Sequence, residues 1–369
     1  MTKFILAMLL FACTVTASSQ TLFDKGLQQF KDKQYTQALE TFNQVVATET
    51  KNHAAFYNMG LCYYNLKLYD DAVRKFQQAI NIKTDYTEAY VQMGNAYDYL
   101  DKFTEAIGAY KKAIQINPNN YSPYFEMGVA YKRKKNYPDA LNAFLEAVRL
   151  APERDNTQYQ LGLCYLGMNR EADAQAAFEK AVNLGSKTGY PQYELGKIYY
   201  NQGNTASAIA YLSSAVYLKP DYADAYKELG DAYLEDKNYD NAITAYNNAI
   251  RLSPSYADAY LGLGNVYYNQ NLYAESIPAY KKAAEISPNY ETAQLYLADA
   301  YMNSKQYDAA LPVYKKTILL NPKNVDAQYG LGLLYYNQRN KTAAMQQYNK
   351  VKPLDAAKAD KLLEFINKL

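Results

Sequence analysis

The chain has 369 residues, 49% of them hydrophobic, with 39 basic side chains against 37 acidic ones. So apolar and so nearly neutral a chain can bury a core, which excludes intrinsic disorder; its formal charge of +2 excludes the strong basic bias that nucleic acid or an anionic membrane demands. Forty-two Tyr beside no Trp and a single His suggest one pattern copied many times.

In chain order, the first element is an address. Lys3 precedes an apolar run from Phe4 to Val15, and Ala17-Ser18-Ser19 puts small residues before Gln20. This reads as a Sec-type signal peptide over residues 1–19 with cleavage near Ser19, and hence as a periplasmic, cell-surface or secreted protein. The run is too short for a transmembrane segment, which needs about 20 apolar residues. Leu10-Phe11-Ala12-Cys13 offers a second reading, lipoprotein processing with a lipid anchor at Cys13, although Phe11 is bulky where such a motif prefers a small residue.

From there a period of 34 runs without slippage. Gly26, Gly60, Gly94, Gly128, Gly162, Gly196, Gly230 and Gly264 are 34 apart, and the series continues through Ala298 to Gly332. With this residue as position 8, ten copies fill residues 20–358. Position 11 is Tyr in copies two to ten, and position 20 is Ala in every copy but the eighth, which has Ser276. Position 24 is aromatic in every copy but the sixth, which has Leu212, and Pro stands at position 32 in six copies. Positions 4, 7, 8 and 11 are spaced i, i+3, i+4, i+7, and 20, 24, 27 and 28 nearly so, which predicts two amphipathic helices per copy. Glycine inside a helix costs about 1 kcal/mol relative to Ala, so the position-8 glycines predict a close approach between the paired helices. Copy five breaks the pattern with Gly185-Ser186-Lys187-Thr188 in place of the Pro turn, a candidate bend. After copy ten, Pro353 and Asp355 can start a capping helix that ends in residues 359–369 and carries Leu362, Phe365, Ile366 and Leu369 on one face.

The period and its Gly, Tyr, Ala, aromatic and Pro marks resemble the tetratricopeptide repeat (TPR) family over about nine tenths of the chain. With the signal peptide, the resemblance is to TPR proteins of an exported bacterial type. It implies an all-α fold, a right-handed α-solenoid superhelix of ten helix-turn-helix repeats with a C-terminal capping helix. It also implies that the first helix of each copy lines a concave groove, with positions 2, 5, 9, 12 and 13 pointing in.

Mapped onto this sequence, position 5 supplies Tyr57, Phe125, Tyr159, Tyr193 and Tyr329, and position 12 supplies Tyr64, Tyr200, Tyr268 and Tyr336. Such rings can hold an extended peptide at low entropic cost, or can simply pack within their own repeat. Copies seven to ten add Asp224, Asp231, Glu235, Asp258, Asp299 and Asp326 against Lys227 alone, an acidic half-groove that suits a basic segment or merely keeps a long surface solvated.

Catalysis finds few footholds. The lone His53 gives no basis for imidazole dyads or a zinc site. Cys62 and Cys164 share position 10, otherwise mostly apolar, and read as core thiols too far apart to pair. No phosphate loop is present, and Asp231 with Glu235 reads more simply as a groove wall than as an acid and base. The expectation is a non-enzymatic scaffold or adaptor without cofactor or metal, binding a protein or peptide segment in its groove outside the cytoplasm. The alternative is a cell-wall or carbohydrate-binding protein that uses the groove tyrosines.

Overall fold

The structure is a computed structural model that describes residues 20–369. The expected signal peptide and Cys13 lie outside the described residues. The described residues form twenty-one helices and no strand. They fall into two compact units, which divide between Ser186 and Lys187, inside the segment where copy five departs from the repeat pattern.

The first unit carries five helical pairs: α1 (20–31) with α2 (Tyr35–Thr48), α3 (His53–Asn65) with α4 (Tyr69–Ile82), α5 (Thr87–Tyr99) with α6 (Phe103–Ile116), α7 (Tyr121–Arg133) with α8 (Tyr137–Leu150), and α9 (Asp155–Gly167) with α10 (Glu171–Asn183). The second unit carries α11 (Tyr190–Asn201) with α12 (Thr205–Leu218), α13 (Ala223–Glu235) with α14 (Tyr239–Leu252), and α15 (Ala257–Asn269) with α16 (Tyr273–Ile286). It ends with α17 (Glu291–Asn303) and α18 (Tyr307–Leu320), α19 (Val325–Asn337) and α20 (Lys341–Val351), and a last helix α21 (Ala356–Ile366). The fold is thus all-α, helix-turn-helix repeats stacked solenoid-fashion within each unit.

Seven of the nine position-8 glycines are explained by the ring at position 24 of the same copy; Gly196 faces Leu212 there, and Gly332 faces Leu362 of α21. A Cβ at Gly128 would stand 2.7 Å from Phe144 Cε1, and one at Gly230 would stand 2.7 Å from Tyr246 Cε1. In these seven copies the ring stands closer to the backbone of the first helix than a Cβ there would permit. Phe42, Phe76, Phe144, Phe178, Tyr110, Tyr246, Tyr280 and Tyr314 are all almost fully buried there, each at the centre of its repeat.

Position 15 ends the first helix of every copy in the left-handed region. Lys67 has φ +61°, Lys237 +60° and Asn271 +61°, and only copy six uses a glycine, Gly203 at +74°. The next backbone N–H then reaches back to the helix, as Leu68 N donates to Tyr63 O at 2.9 Å, which closes the helix end. A side chain in this conformation costs roughly 1–2 kcal/mol, partly offset because glycine loses more entropy on folding. Lys237→Gly is therefore expected to stabilise its unit by about 0.5–1 kcal/mol, seen as a higher urea midpoint at unchanged slope. A lower midpoint would contradict this account of the turn.

Eight of the ten second helices end at position 30, six of them two residues before a proline, as Ile116 before Pro118, and Thr48 and Ile82 without one; α10 ends at Asn183 and α20 at Val351, both earlier in the repeat. At the C-terminus, the Asp355 side chain caps α21 by accepting from Lys358 N at 2.9 Å, and Leu362 and Ile366 are fully buried against the last repeat. Leu369 lies past the helix and is exposed. Cys62 and Cys164 are buried free thiols, and burial pushes the Cys62 thiol up to about 12, far from reactivity at neutral pH. No helix among the described residues is long and apolar enough to cross a membrane.

Candidate functional site: the first-helix faces

Within each unit the first helices of successive copies touch one another, α3 with α5, α5 with α7 and α7 with α9, then α11 with α13, α13 with α15 and α17 with α19. The second helices show no comparable neighbour contacts. A stack in which one layer is closer spaced than the other curves toward the closer layer. The first helices therefore form the concave side of each unit.

In the first unit the predicted groove rings spend one face on their own repeat. Tyr57 lies 5.7 Å from Phe76 and 5.0 Å from Tyr86, Phe125 is 5.8 Å from Phe144, and Tyr159 is 5.8 Å from Phe178. Tyr64 meets Tyr69 and Tyr99, which stack at 4.8 Å. Burial pushes the Tyr57 hydroxyl up to about 12, with the Glu88 carboxylate adding to it. These residues remain half-buried and do not converge on one pocket. His53 is half-buried edge-on to Tyr86 at 5.3 Å.

The second unit brings more of the predicted residues together. A pocket of about 300 Å³ is lined by Tyr200, Lys227, Asp231, Glu235, Asp258 and Tyr290, among others. A second pocket, of about 340 Å³, is lined by Tyr268, Tyr280, Tyr296 and Asp299 with Asn269. Leu234 and Asn265 line both, so the two form one trough across copies six to nine. Its walls are mostly positions 5, 9, 12 and 13 of the first helices.

Other predicted residues of this unit lie elsewhere. Tyr193 packs on Tyr222 at 4.7 Å, and Tyr336 packs on Phe365 of the capping helix at 5.4 Å. Tyr329 is half-buried against the cluster around Leu362.

The acidic residues are largely engaged by the chain itself. Asp231 accepts from the Tyr246 hydroxyl at 2.5 Å and from Lys227 Nζ at 2.8 Å. Asp258 accepts from the Tyr290 hydroxyl at 2.7 Å, Asp224 from Tyr256, and Asp326 is paired with Lys358. Glu235 is exposed on the trough wall. Asp299 accepts from the Tyr314 hydroxyl at 2.6 Å, and burial raises its carboxyl to about 6.

Sequence reasoning missed two couplings that the repeats themselves spell out. Where position 24 is Tyr in copies three, seven, eight and nine, position 9 is Asn or Asp and accepts its hydroxyl: Asn95, Asp231, Asn265 and Asp299. Where position 24 is Phe, position 9 is Leu or Val, as in Leu61 and Val129; the terminal copy ten departs, with Tyr348 and Leu333. The second coupling joins position 34 to position 2, as in Tyr290 with Asp258. Both could have been found by comparing columns across copies.

The fold and this trough define a helical-repeat protein whose first helices line the inner face of each unit. Residues 16–221 match the family model described as the Cilia and flagella-associated protein 70 C-terminal domain, a TPR model. Residues 230–271 match a TPR repeat model, and 257–290 and 295–359 match tetratricopeptide repeat models. The chain belongs to the tetratricopeptide repeat family. A search of curated proteins found no match.

Among solved structures, the C-terminal part of a TPR repeat-containing protein from Cytophaga hutchinsonii is 20% identical, with 65% of this chain and 99% of that chain covered and a TM-score of 0.54. YrrB, titled a TPR protein with an unusual peptide-binding site, is 23% identical over 54% of this chain and 99% of its own, with a TM-score of 0.48. Yeast Tom70 is 15% identical, covering 96% of each chain, with a TM-score of 0.42. The likeness to the Cytophaga hutchinsonii protein is one of fold.

Proposed function

We propose that this protein is a non-enzymatic scaffold that holds an extended, basic peptide or protein segment in the concave trough of its second unit, outside the cytoplasm. The observation that carries the reading is the pair of adjoining pockets of about 300 and 340 Å³ that share Leu234 and Asn265. They combine tyrosine faces, amides and carboxylates along one surface, the chemistry that grips a chain by side chains and backbone together. The segment's basic character is supported by the acid excess of the smaller pocket, where Asp231, Glu235 and Asp258 face one lysine. Export is supported by the sequence alone, through Lys3, the apolar run from Phe4 to Val15 and the small residues before Gln20.

The test is a photo-crosslinking amino acid at Leu261, on the trough wall, in the intact cell envelope, with the captured segment sequenced. One recurrent segment is expected. Its yield should fall about tenfold with Tyr200→Ala, the loss of roughly 1.4 kcal/mol of aromatic contact. It should also fall as salt rises. Capture unchanged by Tyr200→Ala and by salt would overturn the reading.

A further inference from the structure

Copies three and eight place Asn95 and Asn265 at position 9, and each amide oxygen accepts a tyrosine hydroxyl, at 2.8 and 2.9 Å. Copy nine makes the same bond with a carboxylate, Asp299, at 2.6 Å to Tyr314. One oxygen suffices for that bond. Among the described residues, Oδ2 of Asp299 carries no hydrogen bond or ion pair, and Asp299 is the one charged group among those that line the 340 Å³ pocket.

The pocket walls are aromatic. Tyr280 and Tyr296 have ring centres 5.8 Å apart and planes inclined at 60°; Tyr268 and Tyr280 are 6.3 Å apart at 61°. Rings so tilted enclose a space instead of stacking shut. The Tyr268 ring is fixed from outside, because its hydroxyl accepts from Asn303 Nδ2 at 2.6 Å. Lys227, in the adjoining pocket, is already bonded to Asp231 and Glu228 and does not neutralise Asp299.

We propose that this pocket is a subsite for a compact organic cation, the ammonium or guanidinium end of a lysine or arginine side chain, held against Tyr268 and Tyr296 with its charge on Asp299 Oδ2. The chemistry is complementary on each side. Ring faces carry the negative side of the aromatic quadrupole and attract a cation while covering its alkyl stem. A carboxylate removed from water binds such a charge more strongly than an exposed one does. The inference rests on the trough being a segment-binding surface, and it names which side chain of the segment is read and where.

The experiment uses a ligand that is not a peptide, so that the two readings fail separately. A trifluoromethylphenylalanine replacing Leu234, which lines the pocket, reports occupancy of the purified protein by fluorine NMR. n-Butylammonium and n-butanol are titrated at fixed ionic strength. The ammonium is expected to saturate the shift at a concentration about tenfold lower than the alcohol, the scale of one favourable cation site. Asp299→Asn keeps the Tyr314 hydrogen bond and should abolish that preference; Tyr296→Leu should weaken it. Equal response to the two ligands, or a preference that survives Asp299→Asn, overturns the subsite. If the ammonium preference holds but no segment is crosslinked in the envelope, the subsite stands and the scaffold reading falls. If a segment is crosslinked without that preference, the reverse is true.

Discussion

Phe144→Ala is expected to destabilise the first unit by about 3–5 kcal/mol, and Gly128→Ala by about 1–3 kcal/mol, yet the second change should become neutral or favourable when made on top of the first. Phe144 is fully buried, and a Cβ at Gly128 would stand 2.7, 2.8 and 2.9 Å from its ring atoms. The new methyl must push the ring out of a close-packed position, and that strain outweighs the roughly 1 kcal/mol by which Ala improves a helix over Gly.

Without the ring there is nothing to strike, and the helix preference alone remains. A double-mutant cycle followed by urea unfolding should thus give a coupling of about 2 kcal/mol or more between the two sites. Additive effects would mean that Gly128 serves something other than this ring. Copy nine shows how the chain can relax the constraint: Ala298 occupies position 8, and its partner ring Tyr314 presses instead on Gly330 of the next copy, where a Cβ would fall 2.6 Å from Cε1. Copy seven carries glycine on both sides of its ring, where a Cβ at Gly230 would stand 2.7 Å from Tyr246 Cε1 and one at Gly262 closer still.

That contact explains how much was legible in the sequence. The 34-residue period, the paired helices and the capping helix follow from hydrophobic spacing and local capping, signals that lie along the chain and need no partner. The close approach at the glycines was inferable because a glycine within a helix calls for a compensating contact. That the contact is the position-24 ring against the backbone depends on tertiary geometry.

The groove was harder to read for a related reason. Tyr57, Phe125 and Tyr159 are amphipathic rings with one face on the core, so composition alone could not divide packing from recognition. For the acidic residues, charge could be counted but not its internal use. Asp231, Asp258 and Asp326 look alike in sequence, and they differ in whether a tyrosine, a lysine or both reach them. The pairing of positions 9 and 24 was present in the sequence as a correlation between columns, and only its physical meaning needed the structure.

Asp299→Asn is expected to make the second unit more stable at pH 7.5 by up to about 3 kcal/mol, with the gain vanishing as the pH falls toward 4. Burial raises the Asp299 carboxyl from 3.8 to about 6, against the Tyr314 hydrogen bond that lowers it and with the Asp326 carboxylate raising it further. The groups facing it from neighbouring helices are the tyrosines Tyr268, Tyr280 and Tyr314 and the carboxylate Asp326.

The sign follows from where the proton sits. Below about 4 both folded and unfolded chains hold it, and the group is neutral in the balance. Between about 4 and 6 the folded chain keeps a proton that the unfolded chain has released, so stability falls as pH rises through that window. Above 6 the folded chain carries a desolvated charge and the cost is complete. Asparagine carries no charge at any pH, and Asn265 and Asn95 show that an amide at this position accepts the position-24 tyrosine hydroxyl.

Urea midpoints of the two proteins at pH 7.5 and pH 5 check the argument. The gap should be widest at pH 7.5, and a gap that does not narrow toward acid, or a variant less stable at pH 7.5, would show that Asp299 is not the strained group. Asp231→Asn supplies the contrast, since Lys227 stands 2.8 Å from Asp231 and loses its partner in that variant. There the substitution should cost stability. Two aspartates at the same repeat position therefore have opposite effects on their unit: one completes an ion pair, and the other holds an unneutralised charge in an aromatic pocket, a cost that an incoming cation would relieve.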